Sequence, residues 1–188
     1  MSYTMLYDSS IWHPIPRDFP TDEWASAEAW ADGFVALFEV DLGPLASDGK
    51  AALREFAFSA IADRQPDVAE SLVFCPRVLP VLGIVNVMFL QAAQDDEVDL
   101  TALAASDPRA QLEPTVEPFE TTDLGVGARG AVVIDSADDL SAAGAFTYAF
   151  QRHDQVVYVA ATADRVTEAT LMLTFVDDLV RGISVEAL

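Results

Sequence analysis

Residues 145–185 constrain the fold more than any other stretch of the chain. Phe146, Tyr148 and Phe150 alternate with Ala145, Thr147 and Ala149, which is the two-residue period of a pleated strand. Val156, Val157, Tyr158, Val159 and Ala160 follow as a β-branched run that is apolar on both faces, as in a strand covered on both sides. Arg152, His153 and Asp154 between the two runs are short and polar, so the pair reads as an antiparallel hairpin. Beyond Ala161 the period lengthens. Val166, Ala169, Leu173, Val176 and Val180 recur at three- and four-residue steps and form one helical stripe. Thr162 or Asp164 is placed to cap this helix, Glu168 lies near the positive end of its dipole, and Arg181 and Gly182 lie where it should end.

Upstream, residues 1–20 are aromatic and punctuated by Pro14, Pro16 and Pro20, which hold the segment extended. Ile11, Trp12, Ile15 and Phe19 are expected to tuck inward. Thr21, Asp22 and Glu23 read as a helix start, with Trp24, Ala27, Ala31, Phe34 or Val35, and Phe38 as its stripe and Gly43 with Pro44 as its end. Gly33 weakens that helix, since a mid-helix glycine costs about 1 kcal/mol relative to alanine. A second helix is expected over 48–64, on Leu53, Phe56, Ala57, Ala60 and Ile61. Strands are expected over 71–75 and 81–91, a helical turn over 100–105, and a further strand ending at Ile134. Asn86 is a polar group in an apolar strand and needs a hydrogen-bond partner if buried. Pro108, Pro114 and Pro118 keep the chain between irregular or extended.

Composition excludes several function classes. The chain has 188 residues, 52% of them apolar, which suits one domain spanning 1–188 with a sizeable core. Its formal charge of −21 repels nucleic acid and anionic membrane and favours partners with basic faces. Lys50 is the sole lysine among the basic residues, a bias that fits a bacterial genome of high GC content and also halophilic adaptation. The single cysteine, Cys75, excludes an internal disulfide and reads as a small buried apolar residue. No positive residue precedes an apolar core at the N-terminus, so no secretory leader is expected and a cytoplasmic location is the default. The most apolar window, 78–93, is too short and too interrupted by Pro80, Gly83 and Asn86 to span a bilayer.

Catalytic motifs are sparse. Gly125, Gly127 and Gly130 fit GxGxxG, but Ala131, Val132, Val133 and Ile134 behind them form a strand where a dinucleotide site needs a helix. A kinase reading needs a downstream lysine, and Lys50 lies upstream. These glycines are expected to serve a turn or bulge. His13 and His153 are expected at the surface. No metal-ligand spacing, nucleophile elbow or phosphate loop occurs, so no catalytic residue, cofactor or metal is expected.

The closing pattern VVYVAATADRVTEATLMLTFVDDLVRGI (156–183), with the order helices, paired strands, irregular acidic stretch, strands, hairpin and helix, resembles the Mog1p/PsbP-like α/β/α sandwich group. That resemblance implies an antiparallel sheet with helices on both faces and a binding or accessory role. It carries no functional residue across. The fold expected is therefore α+β, an antiparallel sheet of about five to six strands flanked by helices. The function expected is that of a non-catalytic, acidic interaction protein, an adaptor, regulator or immunity-type inhibitor, binding a basic partner. Its candidate contacts are Trp12, His13, Arg17 and Trp24 as anchors and Asp95, Asp96 and Glu97 as a steering run. The alternative is a small-ligand protein or enzyme with a cavity between sheet and helix, using Asn86, Asp135, Tyr148 or Tyr158.

Overall fold

In the computed structural model, the chain runs through β1 (Ser2–Met5), β2 (Trp12–Pro14), α1 (Ala27–Leu42), α2 (Ser47–Ala62), β3 (Val68–Phe74) and β4 (Gly83–Gln91). It continues through α3 (Leu100–Ala104), β5 (Thr115–Thr121), β6 (Gly125–Asp135), β7 (Ala142–Arg152), β8 (Gln155–Ala163), α4 (Val166–Arg181) and β9 (Ile183–Glu186). The structure describes residues 2–76, 79, 81–92, 97–135, 142–152 and 154–186, with Asp41 described by its backbone.

The C-terminal hairpin lies in the interior of a seven-stranded antiparallel sheet of order β2-β3-β4-β8-β7-β6-β5. Interior strands need cover on both faces, and they have it. On one face, Ala169, Met172, Val176, Leu179 and Val180 of α4 pack on Val85, Val87, Val157, Val159, Tyr148 and Phe150. On the other, Val73 and Ile84 meet Trp30, Phe34, Ala57 and Ala60 of α1 and α2, and α3 rests on Ala128 and Ala149. The fold is α+β, with helices on both faces of an antiparallel sheet and a hairpin leading into the last long helix.

Several local expectations change. The sheet is wider than five to six strands because β2 and β5 add its two edges. Pro118 is tolerated in β5, and Pro14 in β2, because an edge strand has one side free of ladder bonds. Gly125 has φ +82 and serves the turn into β6, but Gly127 and Gly130 stand within the strand, where neighbours crowd them. A Cβ on Gly130 would lie 2.2 Å from the Ala104 carbonyl oxygen, so glycine lets α3 approach the sheet. Residue Arg165 is the N-cap of α4 and supplies no side-chain bond, so neither Thr162 nor Asp164 caps that helix. After Gly182 the chain pairs back: β9 and β1 form a two-stranded antiparallel ribbon, and the Leu6 amide donates to the Gly182 carbonyl at 2.9 Å.

Candidate functional site

The site begins with the alternation of β2. Trp12 pairs with Phe74 and turns toward the α4 face, where it is 3% exposed with its ring 5.0 Å from that of Phe74. His13 pairs with Val73, one step on, and so points to the opposite face. Pro14 ends β2 opposite Leu72, and the ladder bonds to β3 continue as far as Ile15. Ile15 anchors this stretch in the core, and its amide donates to the Ser71 carbonyl at 2.9 Å.

Thr21 does not start a helix. Its hydroxyl accepts from the Glu23 amide at 3.2 Å and the Trp24 amide at 2.8 Å, and its own amide donates to the Trp24 carbonyl at 2.8 Å. Thr21 to Trp24 is thus a self-contained turn. The cap of α1 is Ser26, whose hydroxyl accepts from the Ala29 amide at 3.2 Å. A second capping hydroxyl five residues after the first was the sequence signal for this split.

The turn folds Trp24 back onto α1, against Gly33. Between the N-terminal segment and α1 lies a cleft of about 540 Å³. Its segment side is His13, Pro14 and Pro16, and its turn side is Thr21, Asp22, Glu23 and Trp24. Its helix side is Trp30, Gly33, Phe34 and Leu37. Ala29, Gly33, Ala36, Leu37 and Val40 share that side of α1 at helical spacing, and none is charged. Leu37 is 39% exposed and Val40 77%, so an apolar stripe runs out of the cleft along the helix.

Two arginines hold the segment in place. The Arg64 guanidinium donates to the Ile15 carbonyl at 2.6 Å and the Ala69 carbonyl at 2.8 Å, and Arg17 donates to the Pro66 carbonyl at 2.8 Å. Arg17 therefore braces the wall of the cleft. Elsewhere on α1, Glu39 pairs with Lys50 at 2.7 Å and Asp32 with Arg54, which ties that helix to α2. Asp22 and Glu23 are exposed, and neither forms an ion pair with a described residue.

Of the seven contacts expected from sequence, His13 and Trp24 meet in the cleft. Trp12 belongs to the core, and Glu97 is exposed. Asp95 and Asp96 lie outside the described residues, as does His153. The polar residues of the alternative reading do not converge. Asn86 accepts from the Ser71 hydroxyl at 2.6 Å, and exposed Asp135 accepts from Gln111. Tyr148 donates to Asp177 beneath α4 at 2.7 Å, while half-buried Tyr158 lies on the opposite face. Burial, reinforced by the bond to Asp177, pushes the Tyr148 phenol far up, so it stays protonated.

Sequence reasoning missed a polar cluster as well. Arg129 donates to both Asp177 oxygens at 2.7 Å and to Glu117 at 3.0 Å. The Arg129 and Arg181 guanidinium groups lie 5.4 and 5.0 Å from the Phe119 ring centroid. These groups satisfy one another and clamp α4 to β5 and β6. No group of three or more potential metal ligands occurs among the described residues, and no described helix is long and apolar enough to cross a membrane.

No family model matches this sequence, and no curated protein matches it. Among solved structures, the chain is similar to the Ran-binding protein Mog1p of Saccharomyces cerevisiae. The identity is 14% and the TM-score 0.39, over 68% of this chain and 84% of that one.

Proposed function

We propose that this protein is a non-catalytic interaction protein that docks a basic partner in the cleft between its N-terminal segment and α1. One observation carries the reading: a concave site of about 540 Å³ combines aromatic walls with two carboxylates that no described residue neutralises. The aromatic and aliphatic surface supplies affinity where water is excluded, and the acidic rim with the net charge of −21 supplies steering. Burial of an anchor against Trp24, Phe34 and Leu37 is worth about 1.5–3 kcal/mol, more than the rim charges contribute at physiological salt. The rim thus governs association rate and partner choice, and the walls govern residence time.

The test is selection from a random displayed-peptide library on the immobilised protein. Selected peptides should be enriched in Lys and Arg around an apolar residue, should bind more weakly as salt rises, and should lose binding to a Leu37→Gln variant, which removes the apolar wall without adding charge. Peptides without basic enrichment, or equal binding to that variant, would sink the reading.

A further inference from the structure

Resting on the docking reading above, we infer that the cleft receives one cationic side chain of the partner, a lysine ammonium or an arginine guanidinium, between the Trp24 ring and the carboxylates of Asp22 and Glu23. The chain already holds its own cations in this way. Arg129 and Arg181 sit over the Phe119 ring while Glu117, Asp177 and Asp178 bind their guanidinium groups. Arg54 sits 5.9 Å from the Phe58 centroid and pairs with Asp32. In each case an aromatic face and a carboxylate are shared by one cation, because the ring quadrupole and the anion attract the same charge.

The cleft has the same two components without the third. Trp24 supplies the ring, Asp22 and Glu23 supply the carboxylates, and no lysine or arginine is among its described lining residues. The bonds of Thr21 to the Glu23 and Trp24 amides hold these side chains in one turn, so little order has to be created on binding. Its volume, about 540 Å³, falls within the range of small-molecule pockets and accommodates a long side chain with its flanking backbone. Leu37 and Val40 extend the apolar stripe beyond it, where the alkyl stem and a neighbouring apolar residue of the partner would lie.

The experiment is an NMR titration of the full chain with three probes: the Nα-acetyl methylamides of lysine, arginine and norleucine. The lysine or arginine probe should shift the Trp24 indole Nε1–H saturably, and the neutral norleucine probe should not. The tighter of the two cations then identifies the head group as ammonium or guanidinium. The double variant Asp22→Asn, Glu23→Gln, exposed at both positions, should keep its melting temperature and bind the cation about tenfold more weakly. Trp24→Leu, which keeps the apolar contact and loses the ring, should weaken cations too. An equal shift with norleucine, unchanged affinity in the double variant, or non-saturating shifts spread over the acidic surface would overturn the inference. If display-selected peptides still bound the cleft in that event, the docking reading would stand and only this deepening of it would fall.

Discussion

The six-membered ring of Trp24 occupies the space that a side chain on Gly33 would need: a methyl group there would lie 2.3 Å from Cη2 and 2.5 Å from Cζ3. A glycine that weakens α1 as a helix is what lets the aromatic wall of the cleft close down on it. Two effects oppose each other in Gly33→Ala. Helix propensity favours alanine by about 1 kcal/mol, and displacement of the ring costs about as much. Stability should therefore change by less than about 1 kcal/mol in urea unfolding, while Trp24 moves outward, its fluorescence shifts to longer wavelength and peptide binding falls. A stabilised variant with unchanged emission and binding would show that Trp24 does not depend on this contact.

The Arg129 cluster should matter more to stability than any exposed ion pair. Its side chain is 19% exposed and that of Asp177 15%, so losing either leaves the other half-stranded beside Tyr148. Arg129→Met should cost about 3 kcal/mol, the low end for a buried pair, because water still reaches it. Asp178→Ala, which breaks the exposed contact to Arg181, should cost no more than about 0.5 kcal/mol. Chemical denaturation of the two variants side by side decides the ranking.

Gly130→Ala places a methyl group 2.2 Å from a backbone oxygen of α3 and 2.5 Å from the Thr147 hydroxyl. Backbone cannot swing aside as a side chain can, so α3 must lift off the sheet, at about 3 kcal/mol. Hydrogen exchange should show the protection of residues 100–104 lost before that of the central strands. Uniform protection would mean that the sheet yields instead.

Alkaline pH should loosen the tie between β1 and β3, where the Tyr3 hydroxyl donates to Glu70 at 2.5 Å. Burial, and then the bond to Glu70, raise the Tyr3 phenol from about 10 to about 12, favouring its neutral form in the folded state. A raised folded value contributes stability that is fully present below the unfolded value near 10 and is lost as pH rises through about 12. Stability should be flat from neutral pH to about 9.5 and fall above it, and Tyr3→Phe should make that fall shallower. Superimposable curves for the two proteins would contradict the Tyr3–Glu70 link.

Much of the scaffold was legible because it is periodic. The β7–β8 hairpin and α2 follow from two- and four-residue spacings of apolar residues. Of the α4 stripe, Ala169, Val176 and Val180 are buried, whereas Val166 is exposed, Leu173 is half-buried, and Met172 and Leu179 complete the face that packs on the sheet. What escaped was set by partners distant in sequence. β1 and β9 are four residues each and gain strand structure only from each other. Thr21 and Ser26 both carry a capping hydroxyl, and local chemistry alone does not say which of them opens a helix.

The candidate site shows the same division. Sequence by itself determined that aromatic residues, prolines and carboxylates crowd the stretch before α1 and that the chain is strongly acidic, and it marked Trp12, His13, Arg17 and Trp24 alike as candidate contacts there. Only the tertiary structure decided which of them face one another. Pairing of β2 with β3 sends Trp12 into the core and His13 into the cleft, because adjacent residues of a strand point to opposite faces. Packing of Trp24 on Gly33 brings Asp22 and Glu23 to the mouth of the cleft, because the turn that carries them is closed by Thr21 and pinned by that ring.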